Sequence, residues 1–201
     1  MTRVGLLDHG SGNLHSARRA LEQAGASVQL TGDRGLLEHC DALVVPGVGA
    51  FAACMAGLRA IDGEPLIRDW IASGRPLLGI CVGHQILFDS GNEHGTATAG
   101  LGIWSGPVEQ LPANRLPHMG WNTVQPPEGS HLFAGVEQER FYFVHSYAAL
   151  TPPAGAEVTL SSHEVPFVAA VERGNVCSTQ FHPEKSGQAG TVLLRNWLGL
   201  A

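Results

Sequence analysis

Charge is scarce in this sequence, and basic charge scarcer still. Only 15% of the 201 residues are charged, and 12 Lys and Arg stand against 18 Asp and Glu, a formal net charge of −6. No Lys/Arg cluster offsets that balance, which excludes the electrostatic footprint of nucleic-acid binding or of a polybasic membrane surface. No run approaches the roughly 18 consecutive apolar residues that span a bilayer. The opening Met1–Asp8 is too short an apolar stretch for a signal peptide and lacks a cleavage-like segment. A cytoplasmic protein is expected. Cysteine is confined to Cys40, Cys54, Cys81 and Cys177 with no C-x-x-C pair, so a disulfide framework is not expected. The ten His are scattered, without H-x-H, H-E-x-x-H or Cys/His ligand spacing, so neither metal nor cofactor is expected.

What remains is an apolar chain, 44% hydrophobic, punctuated by 26 Gly and 12 Pro, without repeats, linkers or low-complexity tracts. It predicts one domain over residues 1–201. Strand-like runs at Val4–Asp8, Ser27–Leu30, Ala42–Val45 and Pro76–Ile80 alternate with helical stretches. The first helix is expected from Asn13 as its cap, with Leu14, Ala17, Leu21 and Ala24 on one face; others are expected over Phe51–Arg59 and Glu64–Ser73. Alternation of this kind, with continuously apolar strands, predicts an α/β fold with a largely parallel sheet. The second half differs. Pro107–Leu111, Trp121–Val124, Phe141–Ser146, Glu157–Leu160, Phe167–Val171 and Val176–Phe181 predict strands, partly antiparallel, before a closing helix over Val192–Leu200.

Two segments carry chemistry. In Leu77–Phe88 an apolar strand runs into Gly79-Ile80-Cys81-Val82-Gly83, and an apolar helix is expected to follow. That is a nucleophile elbow with Cys in place of Ser, and its glycines leave room around a sharp turn. A helix start favours the thiolate, the Val82 amide is half of an oxyanion hole, and Gln85 shares the face of Cys81. Taken alone, the motif also fits a buried thiol in a tight turn. A nucleophilic Cys needs a proton acceptor. His182 is the best placed, delivered by a strand into Pro183-Glu184; an extended course would put the Glu184 carboxylate beside the imidazole to orient it. Taken alone, that tripeptide also fits a strand-end His with a solvated Glu.

Together with these, Asp8–Leu14, Pro46–Phe51, Pro117-His118-Met119-Gly120-Trp121-Asn122, Tyr142–Tyr147 and Gln180–Gly187 appear in order along nearly the whole chain. The sequence resembles the class I (triad) glutamine amidotransferases, and within them the glutaminase subunits of imidazole glycerol phosphate synthase. The resemblance implies a flavodoxin-like three-layer fold with antiparallel additions. It implies Cys81 as nucleophile, His182 as base and acid, and Glu184 as orienting carboxylate, with Gly49, Val82, Gln85, Ser146 and Tyr147 around L-glutamine. It implies a (β/α)8-barrel cyclase as heterodimer partner, taking the ammonia in histidine biosynthesis. A triad amidotransferase of another synthase, a stand-alone γ-glutamyl hydrolase and a non-catalytic module are the competing readings. The chain departs from the family's habits at His9, Ser11 and His84, and in Ser162-His163-Glu164-Val165-Pro166, none of them in the triad.

Overall fold

Continuously apolar strands can be satisfied only where both faces of a sheet are covered. The computed structural model, which describes residues 1–201, meets that demand with a seven-stranded sheet. Its first half contains β1 (Arg3–Leu7), α1 (Leu14–Ala24), β2 (Ser27–Thr31), α2 (Arg34–Leu37), β3 (Ala42–Gly47), α3 (Phe51–Ala60), α4 (Gly63–Ala72), β4 (Leu77–Cys81) and α5 (Val82–Gln85). The second half contains β5 (Phe88–Glu93), β6 (Thr96–Ala99), β7 (Trp104–Gln110), β8 (His118–Thr123), β9 (Arg140–His145), β10 (Tyr147–Ala149), β11 (Glu157–His163), β12 (Val165–Arg173), β13 (Val176–Thr179) and α6 (Gly187–Leu198).

The large sheet runs in the order β11-β12-β13-β4-β3-β1-β2. Five strands, β13 to β2, are parallel, and β12 and β11 add antiparallel pairings at one edge. Its central strands β3 and β4 are buried at every residue. Helix α1 packs against α6, and α3 against α4. A second sheet, β10-β7-β5-β6, and the β8–β9 pair complete the second half. No helix is long and apolar enough to cross a membrane.

Three local expectations are corrected. The helix after Cys81 is one turn long, because Phe88 enters β5 and pairs with the fully buried Trp104. Tertiary pairing of two large side chains outweighs the local apolar pattern. Asn13 sits at the start of α1, yet its side chain makes no capping hydrogen bond. Pro183–Lys185 forms a 3-10 turn instead of continuing extended from His182.

Candidate active site

The elbow begins with an unfavourable backbone. Cys81 has φ 56° and ψ −112°, a conformation that an L-residue adopts only under tertiary constraint. The constraint is close packing without side chains. A methyl group on Gly79 would come within 2.7 Å of the Gly83 carbonyl oxygen, one on Gly47 within 2.6 Å of the Gly83 amide, and one on Gly83 would collide with the Val45 carbonyl. The Gly-x-Cys-x-Gly pattern is therefore a steric requirement of seating α5 against β3. Gly83→Ala is expected to destabilise the protein by about 3 kcal/mol or more, lowering Tm by roughly 6–12 °C in a thermal scan.

β13 is hydrogen-bonded to β4 in parallel register, Thr179 opposite Ile80, so the chain leaving β13 emerges beside the elbow. His182 is anchored there: its amide donates to the Tyr142 carbonyl at 2.9 Å, and the Ser186 hydroxyl donates to its carbonyl at 2.6 Å. Its Nδ1 lies 2.7 Å from Glu184 Oε1, both side chains being almost wholly buried. The 3-10 turn thus achieves what an extended course was expected to do. A carboxylate only accepts, so Nδ1 carries the hydrogen and Nε2 is left for chemistry. Nε2 makes no hydrogen bond, and Glu184 Oε2 is likewise unpartnered. Burial works against a charged imidazole, but the neighbouring Cys81 sulfur and the Glu184 carboxylate outweigh it and raise His182 to about 9.

Cys81 and His182 line one cleft of about 240 Å³, together with Gly49, Val82, Gln85, Ser146 and Tyr147. Every site residue expected from the sequence therefore lies in this cleft, save Glu184, which stands behind His182. The volume is below the roughly 300–1,000 Å³ typical of drug-sized ligands, which suits an amino acid. A larger depression around His131, Glu157 and Glu172 shares no residue with it and no convergent chemistry. Three further polar side chains also line the cleft: Glu93, His145 and Lys185, the last being the only lysine in the chain. Glu93 Oε2 accepts the Phe51 amide at 3.0 Å, tying β5 to the start of α3. Nothing local marks Glu93, whose position depends on β5 folding back, whereas Lys185 adjoins Glu184 in the His182 motif.

The loop opposite the nucleophile is held by a residue that departs from the family's habit. The Ser11 hydroxyl donates to the Val48 carbonyl at 2.8 Å and accepts the Val48 amide at 3.0 Å. His9 Nε2 donates to the Pro46 carbonyl at 2.7 Å. Gly49 follows at φ 81°, and its amide donates to no protein acceptor. His84 points away from the cleft chemistry, bonded through Nδ1 to the Ser178 hydroxyl at 2.7 Å and fully buried.

Comparison with known proteins shows the chain's family. The family model for class-I glutamine amidotransferases matches residues 5–199. The imidazole glycerol phosphate synthase subunit HisH of Cutibacterium acnes is 60% identical over 197 residues, covering 98% of this chain and 96% of the relative. The subunit of the same name from Corynebacterium diphtheriae is 56% identical over 209 residues, covering 100% of both. Among solved structures, a glutamine amidotransferase superposes with a TM-score of 0.78 at 23% identity, covering 98% of this chain and 97% of the other. PurLQS from Thermotoga maritima does so with a TM-score of 0.75 at 20% identity, covering 99% of each. Both structural matches speak to the fold alone.

Proposed function

The chain belongs to the class-I glutamine amidotransferase family, and from that premise we propose that it is the glutaminase subunit of an imidazole glycerol phosphate synthase, acting through Cys81, His182 and Glu184. The carrying observation is the cleft that joins the elbow thiol to an imidazole backed by a buried carboxylate. The Cys81 thiolate attacks the side-chain amide carbon of L-glutamine, and the carbonyl oxygen takes the charge. Amides of Val82 and of the Gly49 loop receive that oxyanion; one such donor is worth about 2.7–4 kcal/mol. Collapse of the intermediate breaks the C–N bond as His182 passes its proton to the nitrogen, releasing ammonia and leaving a γ-glutamyl thioester. Acylation removes the negative charge that held His182 protonated, so the imidazole becomes a base strong enough in its neutral form to take a proton from water. The resulting hydroxide cleaves the thioester to glutamate and regenerates the thiolate.

Glutamine brings an ammonium and a carboxylate at its other end. Glu93 supplies the cleft's negative side chain and Lys185 the positive one, so we assign them to those groups, with Ser146 and Tyr147 supplying backbone and side-chain contacts. The whole chain acts as one domain, in the cytoplasm, as one half of a heterodimer with a (β/α)8-barrel cyclase that consumes the ammonia. Met119 and Trp121, neighbours on β8 that are 65% and 53% exposed, support a docking role for that strand.

Because the Val48 amide is engaged by Ser11, the Gly47–Gly49 loop must rearrange before that amide can reach an oxyanion. The isolated chain is therefore expected to be a poor glutaminase. Adding the barrel cyclase with its nucleotide ligand should raise turnover roughly 10²–10³-fold, the worth of one oxyanion donor in kcat. Ammonia release from glutamine measures this directly, and equal turnover in both conditions would favour the stand-alone hydrolase.

A further inference from the structure

Outside the triad, two buried histidines, His118 on β8 and His145 on β9, face one another across the strand pair. His145 Nδ1 lies 3.0 Å from the Tyr147 carbonyl. A carbonyl only accepts, so this nitrogen carries a hydrogen. Burial, then the proximity of His118, lowers His145 to about 3 and so keeps the ring neutral. A neutral ring has one hydrogen, so its Nε2 is a lone pair, 2.9 Å from His118 Nδ1. That nitrogen must then donate. His118 is held neutral in the same way, lowered to about 4 by burial and by His163, so its Nε2 is in turn an acceptor. Asn122 Nδ2 meets it at 3.1 Å. The second Nδ2 hydrogen of Asn122 goes to the Ser162 carbonyl at 2.9 Å, while its Oδ1 accepts the Thr123 amide at 2.9 Å. Two independent partners thus fix which way this amide faces.

Every hydrogen in the chain has one possible place, and all point from Asn122 towards Tyr147. At the far end the Tyr147 carbonyl also accepts Gln85 Nε2 at 2.8 Å, and the other Gln85 amide hydrogen goes to Gln180 Oε1 at 3.0 Å. With both N–H groups used on the protein side, Gln85 Oε1 is left for the cleft that this residue lines. We propose that His118 and His145 form a one-way hydrogen-bond wire that holds the Tyr147 carbonyl in place, and through it the Gln85 amide, whose oxygen the Tyr147 and Gln180 acceptors turn towards the substrate. Both are positioning residues for the N–H donors of glutamine. This rests on the glutaminase reading above.

The sequence segment that departs from the family's pattern serves as the clamp. His163 stacks on His118 at 4.4 Å between ring centroids and donates through Nε2 to the Arg115 carbonyl at 2.6 Å. Glu164 then accepts the Asn114 and Arg115 amides at 2.9 and 3.2 Å, and Ser162 supplies the carbonyl for Asn122. Phe143 also stacks on His118, at 4.9 Å between ring centroids. Despite the three imidazoles, no set of three or more His, Cys, Asp or Glu side chains converges as a metal site needs, so hydrogen bonding is the use the geometry supports.

Long-range proton–nitrogen correlation on the full chain labelled with 15N-histidine tests the wire without reference to activity. At pH 7 both rings, assigned by contacts to Phe143 and Phe167, should be neutral with the hydrogen on Nδ1, the form that free imidazole disfavours. A hydrogen on Nε2 of either neutral ring, or an imidazolium, overturns the proposal. In the complex with the cyclase, His118→Phe keeps the stacked ring but removes the wire. The Michaelis constant for glutamine should rise roughly tenfold, the worth of about one hydrogen bond, with kcat changed far less and ammonia-dependent synthesis retained. An unchanged Michaelis constant, or a loss of kcat alone, counts against the wire. If that variant does not fold, the tautomers decide. Absence of glutaminase activity from the wild-type complex would sink the functional reading while leaving the tautomer result standing.

Discussion

Cys81→Ala should abolish glutamine-dependent synthesis by the complex, with a loss of roughly 10⁴-fold or more, as expected when a nucleophile acting as part of a unit is removed. Synthesis from added ammonium should persist at the wild-type level, because the cyclase would need only free ammonia. The change is sterically mild. Cys81 is 4% exposed, so Ala leaves a void the size of one sulfur in a pocket already open to the cleft. The strained φ of 56° is no worse for Ala than for Cys. Paired assays with glutamine and with ammonium separate the outcomes: loss of both activities would make Cys81 a structural residue.

The second large effect is expected from Glu184→Gln. The amide can still accept at the 2.7 Å contact with His182 Nδ1, but it carries no charge. Loss of an orienting carboxylate in a triad lowers kcat by about 10⁴-fold in the best-known case, and a drop of roughly 10²–10⁴-fold is expected here. The pH dependence has a definite sign. His182 is raised from 6.5 to about 9, with Cys81 and Glu184 offsetting burial. Its folded-state value lies above the unfolded one, so its stabilising contribution is complete below pH 6.5 and is lost as pH rises through about 9. Removing the carboxylate lowers the folded value. The variant should therefore lose its imidazolium at lower pH, shifting the alkaline limb of kcat/KM down. It should also show a shallower loss of stability between pH 6.5 and 9 than the wild type. An alkaline limb that does not move would mean that Glu184 has no electrostatic hold on the imidazole.

Much of this was legible in the chain because the physics was local. Apolar runs long enough to need burial on both faces gave β3 and β4. Gly79 and Gly83 flanking Cys81 signalled a turn too tight for side chains, and the crowding of β3 against the elbow bears that out. Where structure depends on distant pairing, the sequence was silent. Ile86, Leu87 and Phe88 look helical in isolation, but Phe88 finds Trp104 sixteen positions later (104 − 88) and becomes a strand. Glu93 enters the cleft only because that strand returns over α3. The His182–Glu184 contact was anticipated through the wrong backbone: a turn, not an extension, brings the two together. The wire from Asn122 to Tyr147 was out of reach altogether, since it needs the β8–β9 register that sets His118 opposite His145. His163, noted only as a departure from the family, acquires a purpose once β11 lies beside β8.

The most direct test of the central claim is covalent capture by a glutamine analogue bearing an electrophilic carbon in place of the side-chain amide. In the complex with the cyclase, mass spectrometry should find one adduct, on Cys81, suppressed by excess glutamine and slowed in Glu184→Gln. Modification that spares Cys81, or that falls equally on Cys40, Cys54 and Cys177, would contradict the account, because the thiol at the elbow would then not be the one that glutamine meets.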